Sequence, residues 1–463
     1  MVLKMNYKPY EYQKLIIDMI KEKRRCNIWA GMGMGKTSST ATAIHELTAY
    51  PALVVAPKRV ALSTWPAEYE KWDHLKGVKV APVIGTPRQR SDALLSNADV
   101  FTINYENLPW LYEQGVKFKT IVADESTRLK SFRTRRKASK KTGKLTVKPS
   151  YALAKITCQA TRHINLTGTP SPLGLTDLWG PQWFIDQGER LGKSFKAFTD
   201  RWFRAEQVGA SRFAVKHTPW PHAEQEITEA LRDVSISIMP ADYLPIGEPI
   251  YKTLHAQMPA KAWKLYNQME KDLFFDIGSK EIEAPSTAVK LTKCLQIASG
   301  FVYDEFKSPI DLHDGKIDVL KSVVEEANGA PILVSYWWQH DLNKILKAFP
   351  QAVALGDDPS IIRKWNAGKI PMLIAHPASC GHGLNLQDGG NILVFYSDWY
   401  NLEAHQQIIE RIGPTRQFQS GHNRPTFVYS IVTEGTVDEE IAVSHHRKAT
   451  LQDLLIKRMK KHG

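Results

Sequence analysis

Two short segments of this 463-residue chain carry residue types suited to phosphate chemistry. The first is "AGMGMGKTS", Ala30 to Ser38. It departs from the pattern G-x-x-x-x-G-K-[ST] only in having Ala30 where the first glycine belongs. Gly31, Gly33 and Gly35 free the backbone to turn successive N–H groups toward phosphate oxygens. Lys36 has the reach for β- and γ-phosphates, Thr37 the hydroxyl to hold Mg²⁺, and Ser38 continues the same loop. The second segment is "TIVADES", an apolar run ending in Asp124-Glu125. Asp124 would hold the Mg²⁺ through water, and Glu125 would take a proton from an attacking water. Acidic pairs at strand ends often only cap structure. Placed 88 residues after a phosphate-loop lysine, this one points to ATP hydrolysis with ATP and Mg²⁺.

Such groups need a strand to deliver them and a helix to receive the loop. "CNIWA" (26–30) precedes the glycines, and "KTSSTATAIHEL" follows with helical composition, so the helix N-terminus adds its positive end. A chance Gly-Lys-Thr in a flexible turn has no reason to sit in that setting. Further apolar, β-branched runs are "ALVVAP" (52–57), "DVFTIN" (99–104), "TIVADE" (120–125) and "HINLTG" (163–168). A second set is "PILVSY" (331–336), "MLIAHP" (372–377), "NILVFY" (391–396) and "TFVYSIV" (426–432). Near-continuous apolar strands alternating with helices predict parallel sheets covered on both faces. Two sets predict two α/β domains. Residues 171–290, rich in Trp, Phe and helix formers, read as a mainly helical extension and linker.

The net charge is +13, and ten Lys or Arg with no acid fall in "RLKSFRTRRKASKKTGKLTVK" (128–148). Without that run the charge would be +3, so the excess is local. A solvated basic loop and a DNA-contacting arm both fit. Its place between the acidic pair and the next strand favours the arm, with Arg133, Arg135, Arg136, Lys137, Lys140 and Lys141 on phosphates. Such contacts give affinity without reading sequence. Cys26, Cys158, Cys294 and Cys380 are scattered, which argues against a disulfide framework or structural zinc. A lone histidine such as His382 or His405 reads as a packing or hydrogen-bonding residue. No apolar run approaches the roughly 20 residues that span a bilayer, and the charged start excludes a signal peptide. The expectation is a soluble, cytoplasmic protein.

Four more segments, in order, are "KPYEYQ" (8–13), "INLTGTPSP" (164–172), "GHGLNLQDGG" (381–390) and "HQQIIERIGPTRQFQ" (405–419). Together with the phosphate loop and acidic pair they resemble the motif series of superfamily 2 helicases. "DESTRLKS", "LTGTPSPLGLTDLW" and "SDWYNLEAHQQIIERIG" look most like the Swi/Snf branch, and the compact length resembles its phage-type members, which would act in the host cytoplasm. The resemblance covers nearly the whole chain. It implies two RecA-like parallel-sheet lobes with ATP at their cleft: 1–170 as lobe 1, 171–290 as the helical extension, and 291–463 as lobe 2 with a C-terminal helix. Gln13 would read adenine, with Tyr10 or Tyr12 nearby. Thr167 and Thr169 would link the ATP site to the nucleic-acid groove, and Gly383 and Asn385 would lie near the lobe interface. Gln407, Arg411 and Arg416 would come from lobe 2, an arginine there neutralising charge on the phosphoryl group. Lys58 and Arg59 would bind phosphates, while Trp65 and Trp72 would either stack on bases or pack in the core. The family's last motif reads Q-x-x-x-R-x-x-R; here position 414 is proline and the next arginine, Arg416, comes two residues late. Either the loop bulges and Arg416 still reaches the phosphate, or Arg411 acts alone.

The function so implied is an ATP-dependent motor that tracks, remodels or unwinds duplex or branched DNA, with replication or recombination proteins as candidate partners. An RNA helicase is the alternative within enzymes. A DNA clamp gated by nucleotide, without stepping, is the alternative outside them.

Overall fold

The computed structural model describes residues 5–31, 33–134, 147–171, 174–207, 215–278, 284–304, 306–356, 358–380, 384–443 and 445. They form two compact units, one within Met1–Glu206 and His217–Tyr243, the other within Gln207–Lys216 and Leu244–Ala449.

The first unit is built on a seven-stranded parallel sheet: β1 Arg25–Ala30, β2 Ala52–Ala56, β3 Val80–Pro82, β4 Val100–Asn104, β5 Thr120–Asp124, β6 Arg162–Thr167 and β7 Ser235–Ile238. Their order across the sheet is β3-β4-β2-β5-β6-β1-β7. Every residue of β2, β4 and β5 is buried, as runs covered on both faces must be. Helix α1 (Glu11–Glu22) precedes β1, α2 (Lys36–Glu46) follows it, and α3 (Trp65–Lys71) follows β2.

The second unit carries a six-stranded sheet: β8 Ile250–Ala256, β9 Ile332–Ser335, β10 Val353–Ala354, β11 Met372–Ala375, β12 Ile392–Phe395 and β13 Phe427–Thr433. Their order is β8-β13-β12-β9-β11-β10, again all parallel. Alternate residues divide between its faces. Ile332 and Val334 join Ile374 and Val394 in one core, while Leu333 joins Leu373, Leu393 and Phe395 in the other. Helix α4 (Gly315–Glu326) packs on the first of these faces through Ile317, Leu320 and Val323. Two short helices, α5 (Leu402–Ile412) and α6 (Pro414–Gln419), follow β12.

All nine strands expected from apolar runs are present, so the α/β class with two parallel-sheet lobes holds. The stretch 171–290 differs from expectation. It does hold helices, but Ser235–Ile238 pairs with β1 at the edge of the first sheet and Ile250–Ala256 pairs with β13 in the second. The stretch is therefore divided between the two units. Alternating serine and isoleucine suit a buried edge strand, and all four residues of β7 are buried. The expected C-terminal helix begins at Val437 and runs to 443, and everything beyond 445 lies outside the described residues. None of the four cysteines forms a disulfide. Among the described residues no helix is long and apolar enough to cross a membrane.

Candidate functional site

In the first unit, strand register gathers the motif residues. Trp29 of β1 pairs with Thr167 of β6, and Leu166 of β6 pairs with Asp124 of β5. The phosphate loop, the acidic pair and the Thr167–Thr169 turn thus leave adjacent carboxyl ends of one parallel sheet, where α/β folds place ligand sites. Gly33 (φ +78°) and Gly35 (φ +71°) adopt the left-handed backbone that only glycine takes without strain. Gly35 caps α2, so the loop opens directly onto the helix N-terminus. Lys36 Nζ donates to the carbonyls of Ala30 (2.6 Å) and Gly31 (3.1 Å), folding the ammonium over its own loop. Ser38 Oγ donates to Gly35 O at 3.0 Å. A Cβ on Gly31 would sit 2.8 Å from Pro240 Cδ, so that glycine also admits a close neighbour. Thr37 is partly exposed beside them.

Gln13, at the start of α1, meets this loop. Its Oε1 accepts the Tyr10 N–H at 3.0 Å, and its Nε2 lies against Gly35. Tyr10 is exposed and stacks on the buried Tyr12, centroids 5.4 Å apart. Tyr7 carries no motif signal, yet its hydroxyl is 3.5 Å from Gln13 Oε1 and 3.3 Å from Ser39 Oγ of α2.

Asp124 is buried, and burial pushes its carboxyl above the ordinary range, opposed by the indole of Trp65, the charge of Lys36 and the Glu125 N–H. Trp65 Nε1 donates to Asp124 Oδ2 at 2.9 Å, and the Glu125 N–H donates to Oδ1 at 3.1 Å. The Tyr105 hydroxyl donates to the carbonyl of Asp124 at 2.8 Å and lies 3.4 Å from that of Glu125. Glu125 itself has φ +55°, a conformation non-glycine residues rarely adopt and which concentrates at functional sites. Thr167 and Thr169 are both buried, the Thr169 N–H donating to Thr167 Oγ1 at 3.0 Å.

The nucleic-acid residues fare differently. Lys58 is exposed just past β2, and Arg59 beside it is half-buried. Trp65 is a correction: at 0% exposure, with its indole N–H on Asp124, it has no face to offer a base. Trp72 packs too, its Nε1 donating to Glu68 Oε2 at 2.7 Å and its ring meeting Tyr7 edge-on. Arg133 places its guanidinium 3.6 Å from the Phe195 ring centroid and donates to the carbonyls of Lys130 and Phe132, which fits an anchor for the loop better than a phosphate ligand. Arg135, Arg136, Lys137, Lys140 and Lys141 lie outside the described residues, as does Gly383.

In the second unit, Gln407 and Arg411 lie one turn apart on α5 and are both buried. Gln407 Nε2 donates to Glu403 Oε1 at 3.1 Å. The late arginine has a local explanation. Gly413 and Pro414 end α5, and Pro414 occupies the first turn of α6, a position proline suits. Arg416 therefore stands on a separate helix rather than one turn beyond Arg411. Its guanidinium donates to Oδ1 of Asn385, so the structure brings together two residues that motif order alone left apart. His405 is not a loop residue; it sits on α5, its Nδ1 2.5 Å from Asp398 Oδ2 and its ring stacked 4.3 Å from His445. His445 Nε2 is 2.8 Å from the Trp399 carbonyl and 3.4 Å from Asp398 Oδ2. Asp398 is held below the usual carboxylate range by these imidazoles, against its burial.

Comparison with known proteins follows the same lines. The model of the SNF2-related domain matches residues 15–297. Protein p41 of Acyrthosiphon pisum secondary endosymbiont phage 1 is 51% identical over 98% of this chain and 99% of its own length. YwqA of Bacillus subtilis, whose name provisionally calls it an ATP-dependent helicase/translocase, is 24% identical over 92% of this chain but only 46% of its own. A solved SWI2/SNF2 ATPase core of Sulfolobus solfataricus in complex with dsDNA aligns with 99% of this chain and 95% of its own at 20% identity, with a TM-score of 0.43.

Proposed function

Because the chain belongs to the SNF2-related family, we propose that it is an ATP-dependent DNA translocase or helicase, hydrolysing ATP to move on, remodel or unwind duplex or branched DNA. The observation that carries the reading is the meeting, at neighbouring strand ends, of the Lys36 loop with Asp124 and Glu125. Family membership supports an ATP hydrolase, and the provisional name of YwqA supports movement on nucleic acid.

The residues present fit a nucleotide and a divalent cation. Two left-handed glycines and a helix N-terminus offer the N–H groups a triphosphate needs, and Lys36 is close enough for its charge to act on Asp124. Gly31, Gly33, Gly35, Lys36, Thr37 and Ser38 would hold the phosphates, with Gln13 and Tyr10 at the base. Thr37 and Asp124 would hold Mg²⁺, which when bound neutralises phosphate charge. Glu125 accepts the proton of the attacking water. Thr167 and Thr169, with Gly383 and Asn385 of the second unit, relay nucleotide state toward DNA. Gln407 and Arg411 supply the phosphoryl group with contacts that the first unit lacks, and Arg416 joins them through Asn385. Hydrolysis then requires both units to act on one nucleotide, which ties chemistry to movement. Lys58, Arg59 and the basic run from Arg135 to Lys141 bind DNA phosphates without reading sequence. The similarity to a phage protein supports action in host cytoplasm.

ATP turnover measured with no polymer, single-stranded DNA, duplex DNA and RNA tests this. Strong stimulation by duplex DNA is expected; stimulation by RNA alone would make it an RNA helicase. The break at Gly413-Pro414 favours one second reading, a clamp that closes on DNA with nucleotide but does not turn over, and absence of turnover with every polymer would leave that one standing.

A further inference from the structure

We propose that Trp65 is a positioning residue that holds Asp124 ready for Mg²⁺ and couples that hold to the DNA-facing turn at Lys58 and Arg59. The proposal rests on reading Asp124 as the Mg²⁺-holding carboxylate and Lys58 and Arg59 as ligands of DNA phosphates. An indole N–H can only donate, so Asp124 Oδ2 accepts the 2.9 Å bond, and with the Glu125 N–H on Oδ1 at 3.1 Å both carboxyl oxygens are fixed in direction. Trp65 thus does for Asp124 what outer groups do for metal ligands generally: it fixes the orientation of the carboxyl group.

The coupling follows from where Trp65 sits. It is the first residue of α3, and the turn before it, Val60–Thr64, is π-helical, the Trp65 N–H reaching back to Val60 O. Wide turns of this kind are rare and recur at functional positions. Arg59 opens that turn, its carbonyl accepting from Ser63 Oγ at 2.8 Å, and Lys58 precedes it. The far side of the turn is tied to the sheet, Thr102 Oγ1 of β4 donating to Ala61 O at 2.5 Å. A phosphate drawn onto Lys58 and Arg59 pulls on a turn anchored at Ala61, and the free end of that lever is the Trp65 ring on Asp124. Trp65 has no exposed surface, so its effect must pass through this bond rather than through contact with DNA.

The test uses the full chain carrying Trp65→Phe, which keeps an aromatic ring and removes the N–H. Three readouts are taken: the Mg²⁺ concentration that half-saturates binding of a fluorescent ATP analogue without DNA, the affinity for a duplex, and the ratio of ATP turnover with and without that duplex. The Mg²⁺ requirement should rise about tenfold, analogue binding in EDTA and duplex affinity should stay at wild-type values, and the stimulation ratio should fall several-fold. Trp65→His, which retains a ring N–H, should recover part of the loss. An unchanged Mg²⁺ requirement or an unchanged stimulation ratio overturns the proposal. If wild-type turnover ignores duplex DNA, the DNA motor is lost and the Mg²⁺ readout alone decides on Trp65. Should thermal melting show that Trp65→Phe does not fold, Trp65→benzothienylalanine, with sulfur in place of the N–H and the same shape, is measured against the same outcomes.

Discussion

Gln13 and Gly35 are packed so closely that a Cβ on Gly35 would lie 2.0 Å from Gln13 Nε2. The amide that the family resemblance assigns to adenine is therefore seated on the loop assigned to phosphate. Gln13 is held in turn by the Tyr10 N–H and by Tyr7, whose hydroxyl also lies 3.3 Å from Ser39. The starts of α1 and α2 thus form one assembly, in which the amide assigned to adenine and the loop assigned to phosphate hold each other in place.

Gly35→Ala should break that assembly. The new methyl meets Gln13 and must also adopt φ +71°, a conformation costing about 1–3 kcal/mol for a residue with a Cβ. Thermal melting should show a destabilised first unit, and titration with a fluorescent nucleotide should show binding weakened at least about tenfold. Wild-type affinity in this variant would mean that the loop is not the cradle.

Lys36→Ala and Glu125→Gln should separate binding from chemistry. Removing the Lys36 ammonium is expected to reduce turnover by at least about 100-fold. Glu125→Gln keeps the shape and the strained backbone but cannot accept a proton, so nucleotide should still bind while phosphate release stops. Release at the wild-type rate from Glu125→Gln would move the general base elsewhere.

The sequence was most informative where one residue type has one reason to be present. Short, β-branched apolar runs such as "ALVVA" and "ILVF" suit strands buried on both faces, and they are such strands. Gly33, Gly35 and Lys36 pointed to a phosphate loop because such a loop needs the left-handed backbone that glycine allows, and both glycines adopt it. Residues with two uses were not legible. Trp65 at helical spacing suits a base-stacking face or a core, and only the fold shows its N–H on Asp124. Arg133 reads as one more cation in a basic run until Phe195, 62 residues later, is seen beneath it. Tyr105 follows β4 with no spacing signal at all, yet it holds the backbone of the acidic pair. Ser235–Ile238 was hidden by its helical surroundings, since four residues are too few to display a period against that background.

The two arginines of the second unit should differ in kind. Arg411 is buried on α5, whereas Arg416 stands on α6 and donates to Asn385. Arg411→Ala is expected to lower kcat about 1000-fold, the low end of what an arginine at a phosphoryl group contributes. Arg416→Ala should lower it only about tenfold, the scale of one hydrogen bond from a charged group, and Asn385→Ala should match it, because the two act as a pair. Steady-state kinetics at saturating ATP and duplex DNA reads all three. Equal losses at Arg411 and Arg416 would mean that the proline has not demoted the second arginine.

The two units should respond to acid in opposite directions. In the first, burial pushes the His163 imidazole down to about 3, with its ring nitrogens against Thr157 Oγ1 and Asn165 Oδ1. An unfolded histidine takes up its proton near pH 6.5, so this residue's contribution is complete above that pH and is lost as pH falls toward about 3, at about 1.4 kcal/mol per unit. In the second unit, burial pushes the Asp341 carboxyl up to about 6, although the Ser397 and Ser299 hydroxyls and the charge of Lys316 oppose it. An unfolded aspartate binds its proton only near 3.9, so the folded unit holds a proton that the unfolded chain does not. That contribution is complete below about pH 4 and is lost as pH rises through about 6, on the order of 3 kcal/mol in all. Other carboxylates also titrate in this range, so the clean quantity is the wild-type slope minus the variant slope. Calorimetry from pH 6.5 to 4.5 should show that His163→Asn removes a loss of stability on acidification and that Asp341→Asn removes a gain. Variant slopes that shift in the same direction would show that at least one of these two groups does not carry the burial assigned to it.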